Sequence, residues 1–425
     1  MIDKQENKKL NLHQLVRKNK AFCIMPFNHS YVTTNGNANL CCVADFGNPI
    51  ETDMSGKNLI DVFRGDEYKR IRQGMIDGVM EPRCFLCYKH ESTNPSGSDR
   101  QSHNERYLKE LGDNYIPDVD AQFPTWADLR PGRMCNFGCR MCWGAISTTI
   151  DIENRAHPET AAITFDKPVD VDEWIDDPVA FESVKEMVPH MTVLKLAGGE
   201  PLFMPGVIKL LRWCVDSGNT HLILDITTNG SRTKGKVLKL IQNFRNVNIQ
   251  FSMCGVGYTN DYIRYGADWN ELDEAYRQYM NAPGINTHLL STAQFYNVYD
   301  LVNVIKYWAK VRSETTQDIE HNNILFNLVN FPDDEQFDIL PKDERLRVAD
   351  ELEQVMNEHI PVELRAISSI ENIISRLRLD FDEELITSLR KRLAARTVMY
   401  DNIRQQDIAL VHPELARLCK QWQTI

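Results

Sequence analysis

Short apolar segments alternate with helical segments along the middle of the chain, and this alternation constrains the fold more than any other feature. Segment 235–244 carries apolar residues at i, i+3, i+4 and i+7, which is typical of an amphipathic helix. Alternation repeated about six times predicts a parallel sheet, which right-handed connections can curl into a full or partial barrel. The predicted buried strands lie within 126–132, 192–199, 221–230, 247–255, 285–293 and 323–329.

The regions that flank this α/β core differ in character. Residues 1–20 are polar and mixed in charge, and they lack the apolar segment of a secretory signal. Residues 91–123 are rich in Ser, Asn, Gly, Asp and Pro, which predicts a linker with one short helix. We therefore expect an N-terminal tail, a cysteine-rich domain at 21–90, this linker, a partial (β/α)6 barrel at 124–341 and a helical C-terminal region at 342–425.

Composition excludes two classes of partner. Apolar residues make up 42% and charged residues 25% of the 425, as in ordinary globular proteins. No segment has the apolar length of a membrane span. The net charge of −12 argues against a broad nucleic-acid-binding surface, which needs clustered Lys and Arg. We expect a cytoplasmic protein without a membrane or nucleic-acid partner.

Eleven cysteines stand in the sequence, most of them in two groups. Disulfides are rare in cytoplasmic proteins, so short spacings indicate metal binding instead. The first group is Cys23, Cys41, Cys42, Cys84 and Cys87, and the second is Cys135, Cys139 and Cys142.

The second group has the spacing C-x3-C-x2-C and follows the first predicted strand. The carboxyl ends of parallel strands are where such folds bind ligands. Three thiolates can hold three irons of a [4Fe–4S] cluster and leave the fourth iron to a ligand that is not protein. From the spacing alone, a structural zinc site remains the alternative.

Further motifs follow the next predicted strands. AGGEP at 197–201 ends the second strand and TTNG at 227–230 ends the third. Ser252 lies on the fourth strand, and Arg264 follows it in NDYIRYG. Together with the cysteine triad, and in the same order over 125–335, these motifs resemble those of the radical S-adenosylmethionine superfamily.

The resemblance implies a set of cosubstrate-binding residues. The segment that matches AGGEP holds the methionine amino group, and the segment that matches TTNG faces the ribose. Ser252 would contact the ribose or the carboxylate, Arg264 would pair with the methionine carboxylate, and Met141 would lie against the adenine. The implied residues are Met141, Gly198, Gly199, Glu200, Pro201, Thr228, Asn229, Ser252 and Arg264.

The resemblance also implies the chemistry. The cofactors would be S-adenosylmethionine and a reducing [4Fe–4S] cluster bound by Cys135, Cys139 and Cys142. One electron would cleave the sulfonium bond, and the resulting 5′-deoxyadenosyl radical would take a hydrogen atom from a substrate carbon. An electron donor such as flavodoxin or ferredoxin would be a partner of this oxidoreductase-like enzyme.

The first cysteine group can close a second metal centre with no open position. Its ligands would be Cys23, Cys41, Cys84 and Cys87, and Cys42 can replace Cys41 because spacing does not distinguish them. A zinc ribbon is the alternative from the residues alone. The spacing C-x12-G-x4-C followed by C-x2-C resembles the SPASM domain or its shortened form, twitch, which implies an auxiliary [4Fe–4S] cluster. The family usually places this domain after the barrel, whereas here it precedes the barrel.

Three further residues are candidates for contact with the substrate or its radical. Cys254 stands at a strand end, where a thiol suits a hydrogen-atom donor, and a small buried residue is the plain alternative. Arg100 and Lys195 are candidate substrate contacts.

The SPASM resemblance implies oxidative modification, cross-linking or epimerisation of a peptide, with an amino sugar or nucleotide as the second substrate class. A non-catalytic iron–sulfur or zinc regulatory module is the alternative of a different class.

Overall fold

The computed structural model describes residues 10–45, 47–93, 97–164, 173–232, 235–315 and 322–424. The strands are β1 (His29–Val32), β2 (Ala38–Asn39), β3 (Trp126–Leu129), β4 (Gly138–Cys139), β5 (Val193–Leu196), β6 (Ile223–Thr228), β7 (Asn246–Ser252), β8 (Arg264–Tyr265), β9 (Ile285–Ala293) and β10 (Ile324–Leu328). The helices are α1 (Leu12–Lys18), α2 (Met25–Asn28), α3 (Leu59–Arg64), α4 (Asp66–Ile76), α5 (Phe85–Thr93), α6 (Asp99–Leu111), α7 (Thr148–Ala156), α8 (Pro158–Thr164), α9 (Pro178–Met187), α10 (Pro205–Asp216), α11 (Lys236–Ile241), α12 (Tyr258–Ile263), α13 (Trp269–Met280), α14 (Leu301–Glu314), α15 (Lys342–His359), α16 (Val362–Ser368), α17 (Ile370–Leu377), α18 (Glu383–Arg404) and α19 (Pro413–Trp422).

The chain divides into two compact units, each built from more than one segment. Unit 1 comprises Met1–Gly132, Val171–Gly198 and Arg212–Leu222. Unit 2 comprises Arg133–Asp170, Gly199–Leu211 and Ile223–Ile425. The first cysteine group lies in unit 1 and the second in unit 2.

Unit 1 contains three parallel strands and one antiparallel strand. β3 pairs in parallel with β1 and with β5, and β2 pairs antiparallel with β1. The register places Tyr31 opposite Asp128 and Asp128 opposite Lys195. The sequence did not predict β1, because four residues without a clear period-two pattern give a weak strand signal.

The helices of unit 1 bury apolar side chains around the first cysteine group. Leu12 and Leu15 of α1 are fully buried in a cluster that also contains Phe22, Phe27 and Cys23. Burying such side chains contributes roughly 1.5–3 kcal/mol each, so the N-terminal segment is part of the core rather than a free tail. The predicted linker contains α6, which has 13 residues and is capped by Ser98.

Unit 2 contains four parallel strands, in the order β6, β7, β9 and β10. Val247, Ile249 and Phe251 on one face of β7 are fully buried, which gives the strand its alternating pattern. The predicted strands at 221–230, 247–255, 285–293 and 323–329 are confirmed, and so is the α/β class.

Two further features of unit 2 bear on the site. β4 pairs antiparallel with β8, which brings the second cysteine group beside the segment after α12. From residue 342 to residue 424 the chain is helical between short connections, as expected. Among the described residues, no helix combines the length and apolar character that crossing a bilayer requires.

Candidate functional site

The second cysteine group lies on a loop whose backbone is held by the start of α7. The Cys135 N–H donates to Thr148 Oγ1 at 3.1 Å, and the Cys135 carbonyl accepts from the Thr149 hydroxyl at 2.8 Å. Ser147 caps α7 and donates its hydroxyl to the Phe137 carbonyl at 3.0 Å. These hydrogen bonds fix the backbone of the loop against the start of α7 and satisfy its polar groups within the protein.

The β4–β8 pairing brings a cation against the thiols. Cys139 and Arg264 are partner residues, and Arg264 Nη1 lies 3.7 Å from Cys139 Sγ. A hydrogen bond from Cys142, with the positive charges of Arg264 and Arg404, lowers the pKa of Cys139 to about 6. Burial raises the pKa of Cys135 to about 12. The surroundings of Cys139 therefore favour its thiolate, the form that binds metal, more than those of Cys135 do.

The donor set fits an anionic metal–sulfur cluster. Three sulfur donors share one loop, and soft thiolates select iron–sulfur clusters or zinc over hard cations. Arg264 Nε is buried and has no hydrogen-bond partner among the described residues, so an anionic group beside it would be stabilised. Within the described residues, no group of three or more His, Cys, Asp and Glu side chains is arranged to hold a single metal ion.

The AGGEP segment packs closely on the cysteine loop. A Cβ on Gly199 would lie 2.4 Å from the Met134 carbonyl oxygen, and the Glu200 N–H donates to that oxygen at 2.7 Å. Gly198 has a φ of +113°, which a residue with a side chain rarely adopts. Pro201 begins a 3-10 turn at 201–203. The two glycines thus allow the backbone of AGGEP to lie close to the backbone of the cysteine loop.

Glu200 joins AGGEP to TTNG. Its fully buried carboxylate accepts from the Thr228 hydroxyl at 2.7 Å, the Asn229 N–H at 2.6 Å and the Leu202 N–H at 3.1 Å. Burial raises the pKa of Glu200 to about 7, and these hydrogen bonds oppose the rise. Glu200 therefore holds the two segments together by hydrogen bonds, a role that sequence reasoning did not assign. Its contact with a methionine ammonium stays a prediction.

Asn229 connects TTNG to the cysteine loop. Its Nδ2 donates to Asn136 Oδ1 at 3.0 Å and lies 4.0 Å from Cys135 Sγ. The Ser231 hydroxyl also donates to Asn136, at 3.2 Å. Sequence reasoning missed Asn136 because it falls among the three residues that the motif leaves unspecified.

Gln294 is a second residue that sequence reasoning missed. It directly follows β9, is fully buried, and places Nε2 at 3.6 Å from Met141 Sδ. Its Oε1 has no hydrogen-bond partner among the described residues. A polar residue immediately after a predicted strand at the ligand-binding edge was the available signal.

Ser252 and Cys254 end up in different surroundings. Ser252 is the last residue of β7 and keeps 8% of its surface exposed. Cys254 is fully buried, its N–H donates to Asn260, its carbonyl accepts from Asn297, and the Arg264 guanidinium faces its thiol. Hydrogen-atom donation by Cys254 stays a prediction.

Helix α18, in the C-terminal region, supports the cysteine loop. Arg140, between Cys139 and Met141, is fully buried and donates to Asp401 at 2.6 Å. Arg404 pairs with Glu153 of α7 at 2.8 Å. These long-range ion pairs were not visible in the sequence, because nothing in either segment indicates its partner.

The first cysteine group lines a small cavity in unit 1. Its lining includes four thiols, an arginine and a histidine: Cys23, Cys41, Cys84, Cys87, Arg100 and His103. Cys42 is exposed instead and faces the charges of Asp128, Arg130 and Lys195. The geometry therefore favours Cys41 over Cys42 as the fourth ligand.

The electrostatics of this cavity suit a metal cluster. Burial raises the pKa of Cys23 to about 12 and raises the pKa of Cys41 and Cys84 further. The Arg100 guanidinium, held by Glu91 and the Phe22 carbonyl, opposes this rise at Cys23. Four soft donors that line one cavity are costly as thiolates unless a cation compensates them, which is what a metal cluster provides.

Comparison with known proteins found distant structural similarity. No protein-family profile and no curated protein sequence matches the chain. The chain resembles SuiB from Streptococcus suis bound to the precursor peptide SuiA, with a TM-score of 0.36 and 12% identity over 61% of this chain and 51% of that one. It also resembles SuiB bound to S-adenosylmethionine, with a TM-score of 0.38 and 11% identity over 68% of this chain and 63% of that one. TYW1 with a bound lysine–pyruvate adduct gives a TM-score of 0.30 and 14% identity over 54% of this chain and 72% of that one.

The chain thus matches between half and two thirds of the length of the two SuiB structures. TM-scores below 0.5 at these identities do not establish a functional relationship. The functional argument therefore rests on the site residues of this chain.

Proposed function

We propose that this chain is a radical S-adenosylmethionine enzyme with a catalytic cluster in unit 2 and an auxiliary cluster in unit 1. The observation that supports the proposal most strongly is the convergence, within unit 2, of the cysteine loop, the GEP end of AGGEP, TTNG and Arg264. These segments are far apart in the sequence, yet Glu200, Asn229 and Arg264 connect them by hydrogen bonds.

Cys135, Cys139 and Cys142 would hold the catalytic [4Fe–4S] cluster, and Cys23, Cys41, Cys84 and Cys87 the auxiliary one. When bound, the catalytic cluster and S-adenosylmethionine supply one-electron chemistry that removes a hydrogen atom from an unactivated carbon. Arg264 places a permanent positive charge beside Cys139, and the neighbouring thiolates raise its pKa against the opposing effect of burial. The charge offsets the negative charge of the thiolates and can bind a carboxylate.

Glu200 and Asn229 hold the geometry of the site. Glu200 keeps AGGEP and TTNG at a fixed separation through the Thr228 hydroxyl and the Asn229 N–H. Asn229 then orients Asn136 beside Cys135. Gln294, with a buried oxygen lacking a partner among the described residues, offers a hydrogen-bond acceptor next to Met141. An adenine amino group is a donor of the right kind for that acceptor.

The substrate proposed first is a peptide, on the basis of the SPASM-like cysteine spacing, and a small molecule such as an amino sugar or nucleotide is second. The reaction class would be oxidation, cross-linking or epimerisation at carbon. The electron for each turnover would come from a flavodoxin or ferredoxin.

Anaerobic incubation with dithionite and S-adenosylmethionine tests the proposal. The protein purified without oxygen should contain about eight irons per chain, since each [4Fe–4S] cube holds four, and should form 5′-deoxyadenosine. Absence of 5′-deoxyadenosine from protein with both clusters intact would favour a non-catalytic binding or regulatory module. Zinc bound in unit 1 would contradict the proposed auxiliary iron–sulfur cluster but not the proposed catalytic cluster.

A further inference from the structure

Three side chains form a row across the parallel strands of unit 1. Tyr31 of β1, Asp128 of β3 and Lys195 of β5 occupy partner positions, each one residue before the end of its strand. In parallel α/β sheets, ligands bind at the carboxyl ends of the strands. The row therefore lies at the edge where a ligand is expected.

The opposite face of β3 and β5 carries apolar side chains. Leu194 and Leu196 are fully buried on β5, whereas Lys195 between them is half-buried. On β3, Leu129 is fully buried, and Asp128 points to the same side as Lys195 by strand alternation. Tyr31 and Asp128 are buried as well, so Lys195 is the partly accessible residue of the row.

The charges of the row do not balance. Arg130 Nε donates to Asp128 Oδ1 at 3.2 Å, and its guanidinium lies 5.5 Å from the centre of the Tyr31 ring. Lys195 has no hydrogen bond or ion pair with any residue in the described part of the chain. One cation therefore remains in excess, and a half-buried cation gains stability from an anionic partner.

Cys42 lies beside this excess charge. The residue is exposed, and its thiol is within electrostatic range of Asp128, Arg130 and Lys195. It is adjacent to Cys41 in sequence, but Cys41 lines the cavity of the first cysteine group and Cys42 does not. Its thiol can therefore report on the potential at the row.

We propose that Lys195, bordered by Arg130 and Tyr31 and with Cys42 beside it, binds a carboxylate group of the substrate. An ammonium group binds a carboxylate as a point charge, and a neighbouring guanidinium adds to the attraction. The identification of the ligand as the substrate rests on the proposed function, whereas the anion site itself does not. The carboxylate belongs to a peptide side chain or terminus, or to a small acid.

The test compares two alkylating reagents at Cys42 in the anaerobic holoenzyme. Iodoacetate is an anion and iodoacetamide is neutral, and both react with the thiolate, so the ratio of their rates cancels the thiolate fraction. Tandem mass spectrometry separates Cys42 from Cys41 in the same peptide. The same ratio of iodoacetate rate to iodoacetamide rate is measured for N-acetylcysteine amide as a reference thiol. The ratio at Cys42 should be about fivefold higher than this reference, which corresponds to roughly 1 kcal/mol of charge attraction.

Variants of Lys195 show whether the ratio reflects the row. Lys195→Gln should lower the ratio to that of the reference thiol, whereas Lys195→Arg should preserve it. Lys109→Gln, at an exposed position on α6, makes the same charge change in unit 1 away from the row and should leave the ratio unchanged. An equal ratio in the parent and in Lys195→Gln would contradict the proposal, and so would a Cys42 that neither reagent reaches.

Two protection experiments identify the source of the carboxylate. Protection of Cys42 by acetyl-Ala-Glu-Ala-amide but not by its Gln counterpart would assign the site to a peptide. Protection by succinate alone would assign it to a small acid, and protection by neither would contradict the proposal. None of these measurements needs turnover. A parent that forms no 5′-deoxyadenosine but keeps the Lys195-dependent ratio would refute the proposed function while leaving the anion site standing.

Discussion

Cys41 and Cys42 are neighbours in sequence whose thiols lie in different environments. Cys41 lines the cavity with Cys23, Cys84 and Cys87, while Cys42 is exposed and faces charged side chains. Ser replacement at each position forms a matched pair. Cys41→Ser should reduce the iron content from about eight to about four per chain, and Cys42→Ser should leave it near eight.

The measurement is iron and sulfide content after anaerobic purification, with the 5′-deoxyadenosine assay as a check that the catalytic cluster survives. Equal iron loss in the two variants would mean that either thiol can serve as ligand. Iron loss confined to Cys42→Ser would reverse the assignment.

His29 and His103 make the stability of unit 1 sensitive to acid. Both imidazoles contact the Trp126 ring, with centroid distances of 4.7 and 5.4 Å. Burial lowers the pKa of each to about 4, from an ordinary value of 6.5. The unfolded chain then binds these protons at a higher pH than the folded chain does. The free energy of unfolding should therefore fall as the pH drops from about 6.5 to about 4.

His103→Phe keeps an aromatic ring at this position and removes one titrating group. Its urea midpoint should fall less than that of the parent between pH 7 and pH 4.5. His13→Gln, at an exposed position on α1, should behave as the parent does. The same acid sensitivity in His103→Phe and the parent would show that His103 does not contribute.

At the residue scale, the sequence indicated which residue types bind metal better than it indicated which way each side chain points. Spacing predicted that Cys135, Cys139 and Cys142 share a loop, and their binding of a cluster stays a prediction. The choice between Cys41 and Cys42 did not follow from spacing, because spacing does not show which way consecutive side chains point. Asn136 and Gln294 were missed for a related reason, since their roles depend on neighbours distant in the sequence.

At the scale of elements, α18 stabilises the catalytic loop through buried ion pairs. Asp401→Asn would leave the fully buried Arg140 without its charged partner. Removing one member of a buried pair costs on the order of 3 kcal/mol. We expect a lower thermal midpoint and faster loss of iron from the catalytic cluster under a chelator.

Asp350→Asn is the matched control, because Asp350 forms an exposed pair with Arg378. Exposed pairs contribute about 1 kcal/mol or less, so this variant should unfold and lose iron as the parent does. If Asp401→Asn keeps the parent's midpoint and iron-loss rate, the loop does not depend on α18.

The elements that the sequence predicted correctly are those with strong periodicity. The strands β6, β7 and β9 carry clear apolar patterns, and their ends lie within three residues of the ends of the predicted segments. Helix α11 covers only 236–241 of the predicted 235–244, since helix ends are set by capping and packing rather than by periodicity. β1 is short, and its pairing with β3 comes from the sheet rather than from its own pattern.

At the scale of the whole molecule, each unit contains one cysteine group, so the two proposed clusters should be separable by mutation. Replacing Cys135, Cys139 and Cys142 with Ala should leave about four irons per chain and abolish 5′-deoxyadenosine formation. Cys214→Ala removes a buried thiol from α10 outside both groups and should keep about eight irons and full activity. Loss of all iron from the triple variant would mean that the two centres do not assemble independently.

The proposed function depends above all on an iron of the proposed catalytic cluster that no side chain of the protein binds. Electron–nuclear double resonance on the reduced enzyme, with S-adenosylmethionine carrying ¹⁵N at the methionine amino group, tests this directly. The account predicts a ¹⁵N coupling to the cluster that disappears in the triple alanine variant. A reduced cluster whose spectrum shows no ¹⁵N coupling and does not change when the cosubstrate is added would contradict it.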